Sequence, residues 1–387
     1  MRAKLISRYL VSLKLLLAAW LLAPALASAG SITPETFEAT IAVGESVTVN
    51  KTVTTPVTGA DLVDVFFLAD NTGSMGGILN SVKSFAGTLL TDLQTSISDV
   101  NFGVGRYLGD PREFGGTPTQ RAQSAYNLQQ VISGNAADSQ TAINAWFASG
   151  GGDLPEANFF ALHQVATSGA LTDGIGSTDN APDGLATGYN TGWREGAVKV
   201  IVWFGDAVSH TTTVDQAEAI AALTGENVVV AAINTTSAGF GIDGSGQASA
   251  IVAATGGTLT NNVSGANAEA TKNAILDAIS DATSTFDLSL FTTGDTSGLD
   301  IDFTCTSAEG CTGVGGGESR TFDMVITGMS PGVYDFETRV TGISSAVELD
   351  TITVTGDGPV PVPAPGPLSL MGLGLLGLAY LRRRRIL

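Results

Sequence analysis

Apolar and polar positions change period twice along the chain. Residues 36–55, TFEATIAVGESVTVNKTVTT, alternate one-in-two on either side of a Gly–Glu turn, which predicts two half-buried strands. From residue 60 the pattern becomes longer apolar runs separated by helical spacing. ADLVDVFFLAD (60–70) reads as a strand, and GGILNSVKSFAGTLLTDLQT (76–95) puts Ile78, Val82, Phe85, Leu89 and Leu93 on one helical face. A strand follows at 100–109, a helix at 155–166 with Pro155 in its first turn, a strand at 198–206, a helix at 215–226 and a strand at 227–234. Two more helices follow, near 246–254 and at 266–283. After residue 284 one-in-two alternation returns in STFDLSLFTT, GLDIDFTC, RTFDMVITG, GVYDFETRVTG and AVELDTITVTG. Unbroken apolar strands between amphipathic helices imply a parallel sheet covered on both faces. The fold class is therefore α/β, a doubly wound, mostly parallel sheet, inserted in or flanked by an all-β sandwich whose two parts lie on either side of it. Such sheets carry their binding sites in the loops at the carboxyl ends of the strands.

The two ends of the chain concern delivery. Arg2, Lys4, Arg8 and Lys14 precede or begin an apolar stretch that closes on small residues at Ala27 and Ala29, the pattern of a secretory signal cut before Gly30. At the other end, a Pro-rich linker leads into an apolar run from Leu368 to Leu381 and four arginines, Arg382 to Arg385. This tail resembles the PEP-CTERM sorting tail of exported bacterial proteins, with Ala364 where that tail usually has Glu. The resemblance implies an exosortase-type processing enzyme as a partner and a place in the cell envelope, cell surface or matrix of a Gram-negative bacterium. The apolar run is short of the ~20 residues that span a bilayer comfortably. GLGLLG at 372–377 matches a dinucleotide-binding spacing, but no strand, amphipathic helix or distal acid follows it. The expected organisation is a signal peptide at 1–29, the first part of a sandwich at 30–59, the α/β domain at 60–285, the rest of the sandwich at 286–357, and linker and tail at 358–387.

The whole chain has a net charge of −19. Both end segments are basic and hold none of the acids, so their removal leaves ten basic residues against thirty-seven acidic ones, a net charge near −27. A surface of that sign disfavours nucleic acid and concentrates divalent cations. Cys305 and Cys311, with five residues between them, are the only cysteines. In an exported chain that spacing predicts a small disulfide loop, worth roughly 2 kcal/mol on chain entropy. His163 and His210 have no metal-ligand spacing, and are expected on a helix surface and in a loop. Trp193, Trp203 and Phe204 read as packing residues, and 172–192 as a long flexible loop.

Candidate chemistry begins at FFLADNTGSMGG (66–77), where Asp70, Thr72 and Ser74 follow a strand on a tight turn. An aspartyl nucleophile would want a second Asp where Thr72 stands, and this stretch forms no G-x-S-x-G elbow, so no catalytic residue is assigned. A plain helix cap explains D-x-T-x-S by itself. A cradle for a hard cation needs further acids at other strand ends, and GGGDLPEANF offers Asp153 and Glu156 while VWFGDAVSH offers Asp206.

D-x-T-x-S resembles the metal-ion-dependent adhesion site (MIDAS) of von Willebrand factor type A (vWA) domains. GDLPEANFFALHQ and GWREGAVKVIVWFGDAVSH resemble segments of integrin β-subunit I-like domains, and the likeness covers roughly 61–285. It implies Asp70, Thr72, Ser74, Glu156 and Asp206 as ligands of Mg²⁺ or Mn²⁺, with Asp206 bound directly or through water. It also implies an adjacent Ca²⁺ on Asp153, the Pro155 carbonyl and Glu156, with Asp110, although Gly151 stands where the family has an amide. Gly77 and Ile78 replace the paired acids of a third integrin site, which is expected to be absent. The flanking sandwich resembles the integrin hybrid domain. The implied function is a non-enzymatic, exported adhesion protein. Its underneutralised cation would capture an acidic group of a protein or polysaccharide, and chelation would abolish binding. The alternative is a structural matrix or self-assembly protein whose metal only stabilises it.

Overall fold

The computed structural model describes residues 29–116, 118–151, 154–168 and 190–356. The signal segment apart from Ala29, Asp153, residues 172–189 of the expected loop, and the 358–387 tail lie outside the described residues.

Three strands open the chain, β1 (Ser31–Thr33), β2 (Thr36–Ala42) and β3 (Ser46–Thr54). The α/β unit follows, with β4 (Leu62–Asp70), β5 (Asp99–Tyr107), β6 (Tyr126–Ser133), β7 (Val198–Gly205), β8 (Val228–Asn234) and β9 (Thr258–Thr260). These form one six-stranded sheet in the order β6-β5-β4-β7-β8-β9, parallel throughout except for the antiparallel edge strand β6. The molecule is thus a mixed α/β protein with a largely parallel central sheet.

β4 shows how sequence becomes architecture. Eight of its nine residues are buried, as a central strand covered on both faces requires. Val63, Val65, Phe67 and Ala69 belong to one hydrophobic core, and Phe66 and Leu68 to the core on the other face, because side chains alternate across a strand. The first core is filled by the helix Gly76–Ser96, whose buried face includes Ile78, Val82, Phe85, Leu89 and Leu93. The helices Ala136–Asn144 and Ala268–Ala282 pack beside it. The second core is filled by Asn158–Ala166, Gln216–Gly225 and Gln247–Thr255. Asp215 starts Gln216–Gly225 with a capping box closed by Glu218. The helix expected at 155–166 begins only at Asn158. Glu156 instead makes an isolated parallel bridge to Ser209, held by backbone bonds to residues 208 and 210.

β10 (Leu290–Gly294), β11 (Leu299–Cys305), β12 (Ser319–Gly328), β13 (Gly332–Val340) and β14 (Ile343–Thr355) are the last strands among the described residues. They join the opening strands in two four-stranded sheets, β1-β3-β12-β11 and β10-β13-β14-β2, so the α/β unit is inserted into one sandwich. β2 and β3 are strands, as their alternation predicts, but they pair in different sheets. The turn between them, with Gly44 at φ +80°, crosses from one sheet to the other. Cys305 and Cys311 are joined by a disulfide with Cα atoms 6.2 Å apart. The sandwich docks at the amino end of β4, where the Asp61 amide donates to Gly342 O at 3.1 Å and the Ser344 amide to Asp61 Oδ1 at 2.6 Å. The carboxyl ends of the parallel strands are left on the far side. No helix among the described residues is long and apolar enough to cross a membrane.

Candidate metal centre

The chain leaves β4 toward β5 and β6 on one side and returns to β7 on the other, which makes the β4–β7 boundary the switch point of the sheet. Asp70 ends β4, and Asp206 follows β7 directly. Asp70 is fully buried. Its Oδ1 accepts from the Thr72 amide at 2.8 Å, and its Oδ2 is buried without a donor. The Thr72 hydroxyl lies 3.2 Å from that of Ser74. Neither hydroxyl caps a helix: Thr72 and Met75, at the starts of the 3₁₀ turn and of the long helix, make no side-chain cap bond. The capping explanation of D-x-T-x-S therefore fails here, and the exposed Ser74 turns its hydroxyl to the same point as Thr72.

Glu156 arrives from a separate loop, between β6 and β7, and is pinned there by its backbone. Its amide donates to Val208 O and its carbonyl accepts from the His210 amide, both at 2.8 Å. The carboxyl group is buried, and Oε2 accepts from the Gly109 amide at 2.8 Å in the loop after β5. Gly151 provides the space in front of Oε1. A Cβ there would stand 2.8 Å from Thr72 Cβ and 3.2 Å from Glu156 Oε1, and its φ of +70° is the left-handed region. Thr72 and Glu156 thus face one small space, which any side chain at 151 would invade.

Asp206 is partly buried, with Oδ1 in contact with no donor. Burial first, and then the facing charge of Asp206, push the Asp70 carboxyl up to about 7 against the hydrogen bonds from Thr72. Tyr107, opposite Asp70 in the β4–β5 register, reports the same convergence from below. Its hydroxyl donates to Phe204 O and accepts from Trp203 Nε1, both at 2.9 Å. Burial, then the charges of Asp70, Glu156 and Asp206, push this phenol well above its usual range.

The site residues are thus linked pairwise along the sheet edge: Thr72 to Ser74, Thr72 to Glu156 across Gly151, and Asp70 to the facing charge of Asp206. Among the described residues no three His, Cys, Asp and Glu side chains cluster as a metal centre by themselves. The set is mixed, carboxylates with two neutral hydroxyls, which is the donor chemistry of a hard, oxygen-seeking cation. Two buried carboxylate oxygens without donors are what such an ion would satisfy, and the residues fit it.

The adjacent Ca²⁺ set is less open. Asp110 spends its carboxylate on the Thr213 hydroxyl at 2.6 Å, the Arg112 amide at 2.9 Å and the Thr212 hydroxyl at 3.0 Å. Asp153 lies outside the described residues, and Pro155 sits in the bridging segment. Neither histidine joins the site. His163, expected on a helix surface, is buried, because its helix Asn158–Ala166 is covered on all sides. His210 Nε2 contacts Glu113 Oε1 at 2.6 Å. Trp203 and Phe204 are core residues. Tyr107, Gly109 and the backbone of 208–210 were invisible to motif reading, and only strand register could have pointed to Tyr107.

Around the acids stand exposed apolar side chains from three loops. Phe147 donates its amide to Asn71 Oδ1 at 3.3 Å and stacks under Arg106 at 4.6 Å. Leu154 is two residues before Glu156, and Phe240 precedes Gly241, whose Cβ position lies 3.2 Å from Asp206 O.

No family model matches this sequence, and no curated protein matches it. Solved structures do resemble it in outline. A von Willebrand factor type A protein from Catenulispora acidiphila is 16% identical over 89% of this chain and 78% of its own, with a TM-score of 0.38. The pilus adhesin SpaC from Lactobacillus rhamnosus GG is 13% identical over 80% of this chain and 46% of its own, with a TM-score of 0.35. Proximal thread matrix protein 1 from the mussel byssus is 16% identical over 61% of this chain and 50% of its own, with a TM-score of 0.39. Likenesses this loose assign neither site nor activity, and the fold stands on the strand order itself.

Proposed function

We propose that this chain is an exported binding protein that captures an acidic group of a partner through a divalent cation at the carboxyl edge of its parallel sheet. Asp70, Thr72, Ser74, Glu156 and Asp206 would hold the ion, Mg²⁺ or Mn²⁺. The ion would supply a positive centre short of full neutralisation, to which a carboxylate of a protein or an acidic polysaccharide can add. The observation that carries this reading is the pair of buried oxygens, Asp70 Oδ2 and Asp206 Oδ1, that make no hydrogen bond, on the edge where the Thr72 and Ser74 hydroxyls lie 3.2 Å apart. Burying such atoms uncompensated costs about 1–3 kcal/mol each, more for a charged group. The exposed Phe147, Leu154 and Phe240 would add apolar contact around the ionic anchor. The sandwich, at the other end of the sheet, would act as the stalk, and the chemistry is binding without turnover.

The test is capture from cell-surface extract with Mg²⁺ and with chelator. A partner retained with Mg²⁺, released on chelation and lost in Asp70→Ala supports the proposal. A catch that ignores both treatments leaves a metal that serves only the stability of a matrix protein.

A further inference from the structure

In the sandwich core the alternation of two strands admits charge where an apolar side chain belongs. β3 turns Val49, Lys51 and Val53 inward, and Lys51 is fully buried. β14 turns Glu348, Asp350, Ile352 and Val354 inward and leaves Leu349 57% exposed, so the register holds two acids inside at the expense of a leucine. β3 and β14 belong to opposite sheets, and the three side chains meet between them. Lys51 Nζ is in direct contact with Glu348 Oε1 and lies 3.7 Å from Asp350 Oδ1. Asp350 Oδ2 accepts from the Thr338 hydroxyl at 2.7 Å. The Phe37 ring stands 5.5 Å from Nζ, and Met324 Sδ lies 3.6 Å from the Thr338 hydroxyl. Three apolar side chains would fill this space without any charge to desolvate. What the charged set provides instead is a nucleophile, an electrophile and a proton carrier in a sealed core.

We propose that Lys51 and Asp350 condense to an intramolecular amide that staples the two sheets, with Glu348 as the proton carrier. Glu348 takes a proton from the Lys51 ammonium, which leaves a neutral amine next to the protonated Asp350 carboxyl group. The nitrogen lone pair forms a bond to Asp350 Cγ while the Thr338 hydroxyl steadies the charge that develops on Oδ2. The Cγ–Oδ1 bond breaks as Glu348 returns its proton to that hydroxyl oxygen, which leaves as water, and the nitrogen passes its second proton to Glu348, which ends neutral. One amide and one water result, and nothing is oxidised or reduced.

Burial inclines both acids toward their protonated forms. Burial, and then the neighbouring Asp350, push Glu348 up to about 7 despite the opposing pull of Lys51, and burial likewise raises Asp350. Glu348 Oε2 and Asp350 Oδ1 have no other donor, so a proton shared between the two acids is the only one at hand. Condensation would remove every charge from the cluster. It would also tie the strand that leads into the α/β unit to the last strand of the chain, so that tension between the sheet edge and the carboxyl end passes through a covalent bond.

Proteolytic peptides of the folded, unreacted-with-reagent full chain test this by mass spectrometry. The expected result is a linked pair whose mass is one water below the sum of the Lys51 and Asp350 peptides, with fragments placing the bond between those residues. Both peptides recovered unlinked from folded wild-type protein would overturn the proposal, and a bond to Glu348 would overturn the choice of electrophile. Asp350→Ala must abolish the link, and Glu348→Gln must leave most of the chain unlinked while circular dichroism retains the folded spectrum. Full linkage in folded Glu348→Gln would remove the proton carrier from the scheme. The wild-type measurement decides the matter even where a variant does not fold.

Discussion

At the carboxyl edge of the parallel sheet, Asp70 and Asp206 each keep a buried oxygen with no donor, whereas in the sandwich Glu348 lies directly against the ammonium of Lys51. Both clusters bring acids out of water, and each needs positive charge. The sandwich carries its own, sealed between two sheets, and is closed to solvent at Lys51 and Glu348. The sheet edge relies on loops, one of which ends in an exposed serine and another in a glycine that keeps space open. A compensated cluster can be structural, while one that lacks compensation must take up a proton or, as proposed for the sheet edge, a cation. His163 shows a third solution: buried without a charged partner, it is held down to about 4 by burial and stays neutral.

Breaking the sandwich cluster should have the largest effect. Lys51→Met removes both the cation of the unlinked cluster and the nitrogen of the proposed amide, and denaturant unfolding should show a loss of at least about 3–5 kcal/mol. A loss below about 1 kcal/mol would mean that the acids are already neutral without the lysine. His163 comes next, through pH. Its folded value lies below the ordinary 6.5, so its contribution is complete above pH 6.5 and is lost as pH falls through about 4. The loss should approach roughly 3 kcal/mol, and the stability of His163→Gln should vary less across that window in acid melts.

At the sheet edge the comparison sharpens into a difference of ligand response. Saturating Mg²⁺ should stabilise the wild type by about 2.7 kcal/mol at a hundredfold excess over Kd. Asp70→Asn should show no such rise, yet without Mg²⁺ it should melt at or above the wild-type temperature, since a facing charge is gone. A Mg²⁺ response equal in the two proteins would detach the ion from this cluster. The smallest stability effect belongs to Ser74→Ala: within about 0.5 kcal/mol of wild type without metal, because the side chain is exposed. Its Mg²⁺ affinity, read by titration calorimetry, should nevertheless fall.

Local pattern determined much of this protein. The apolar spacing from Ile78 to Leu93 specified the long helix and its buried face, and the unbroken runs at 60–70 and 198–206 specified central strands, because burial on one or two faces is written in the period of the sequence. Asp70 and Asp206 were legible for the same reason, since both stand at the carboxyl ends of strands, whereas Glu156 arrives from a loop that no strand period announces. Tertiary structure alone decided the rest. Glu156 bridged to the chain after β7 instead of starting a helix, since backbone bonds to residues 208 and 210 were available there. β2 and β3 parted into different sheets, since β12 and β14 offered each its own partner. Lys51 met Glu348 and Asp350 only because residues nearly the whole chain apart were brought into opposed sheets. Periodicity records which face a side chain takes, but what that face then meets depends on register and on loops that close over hundreds of residues.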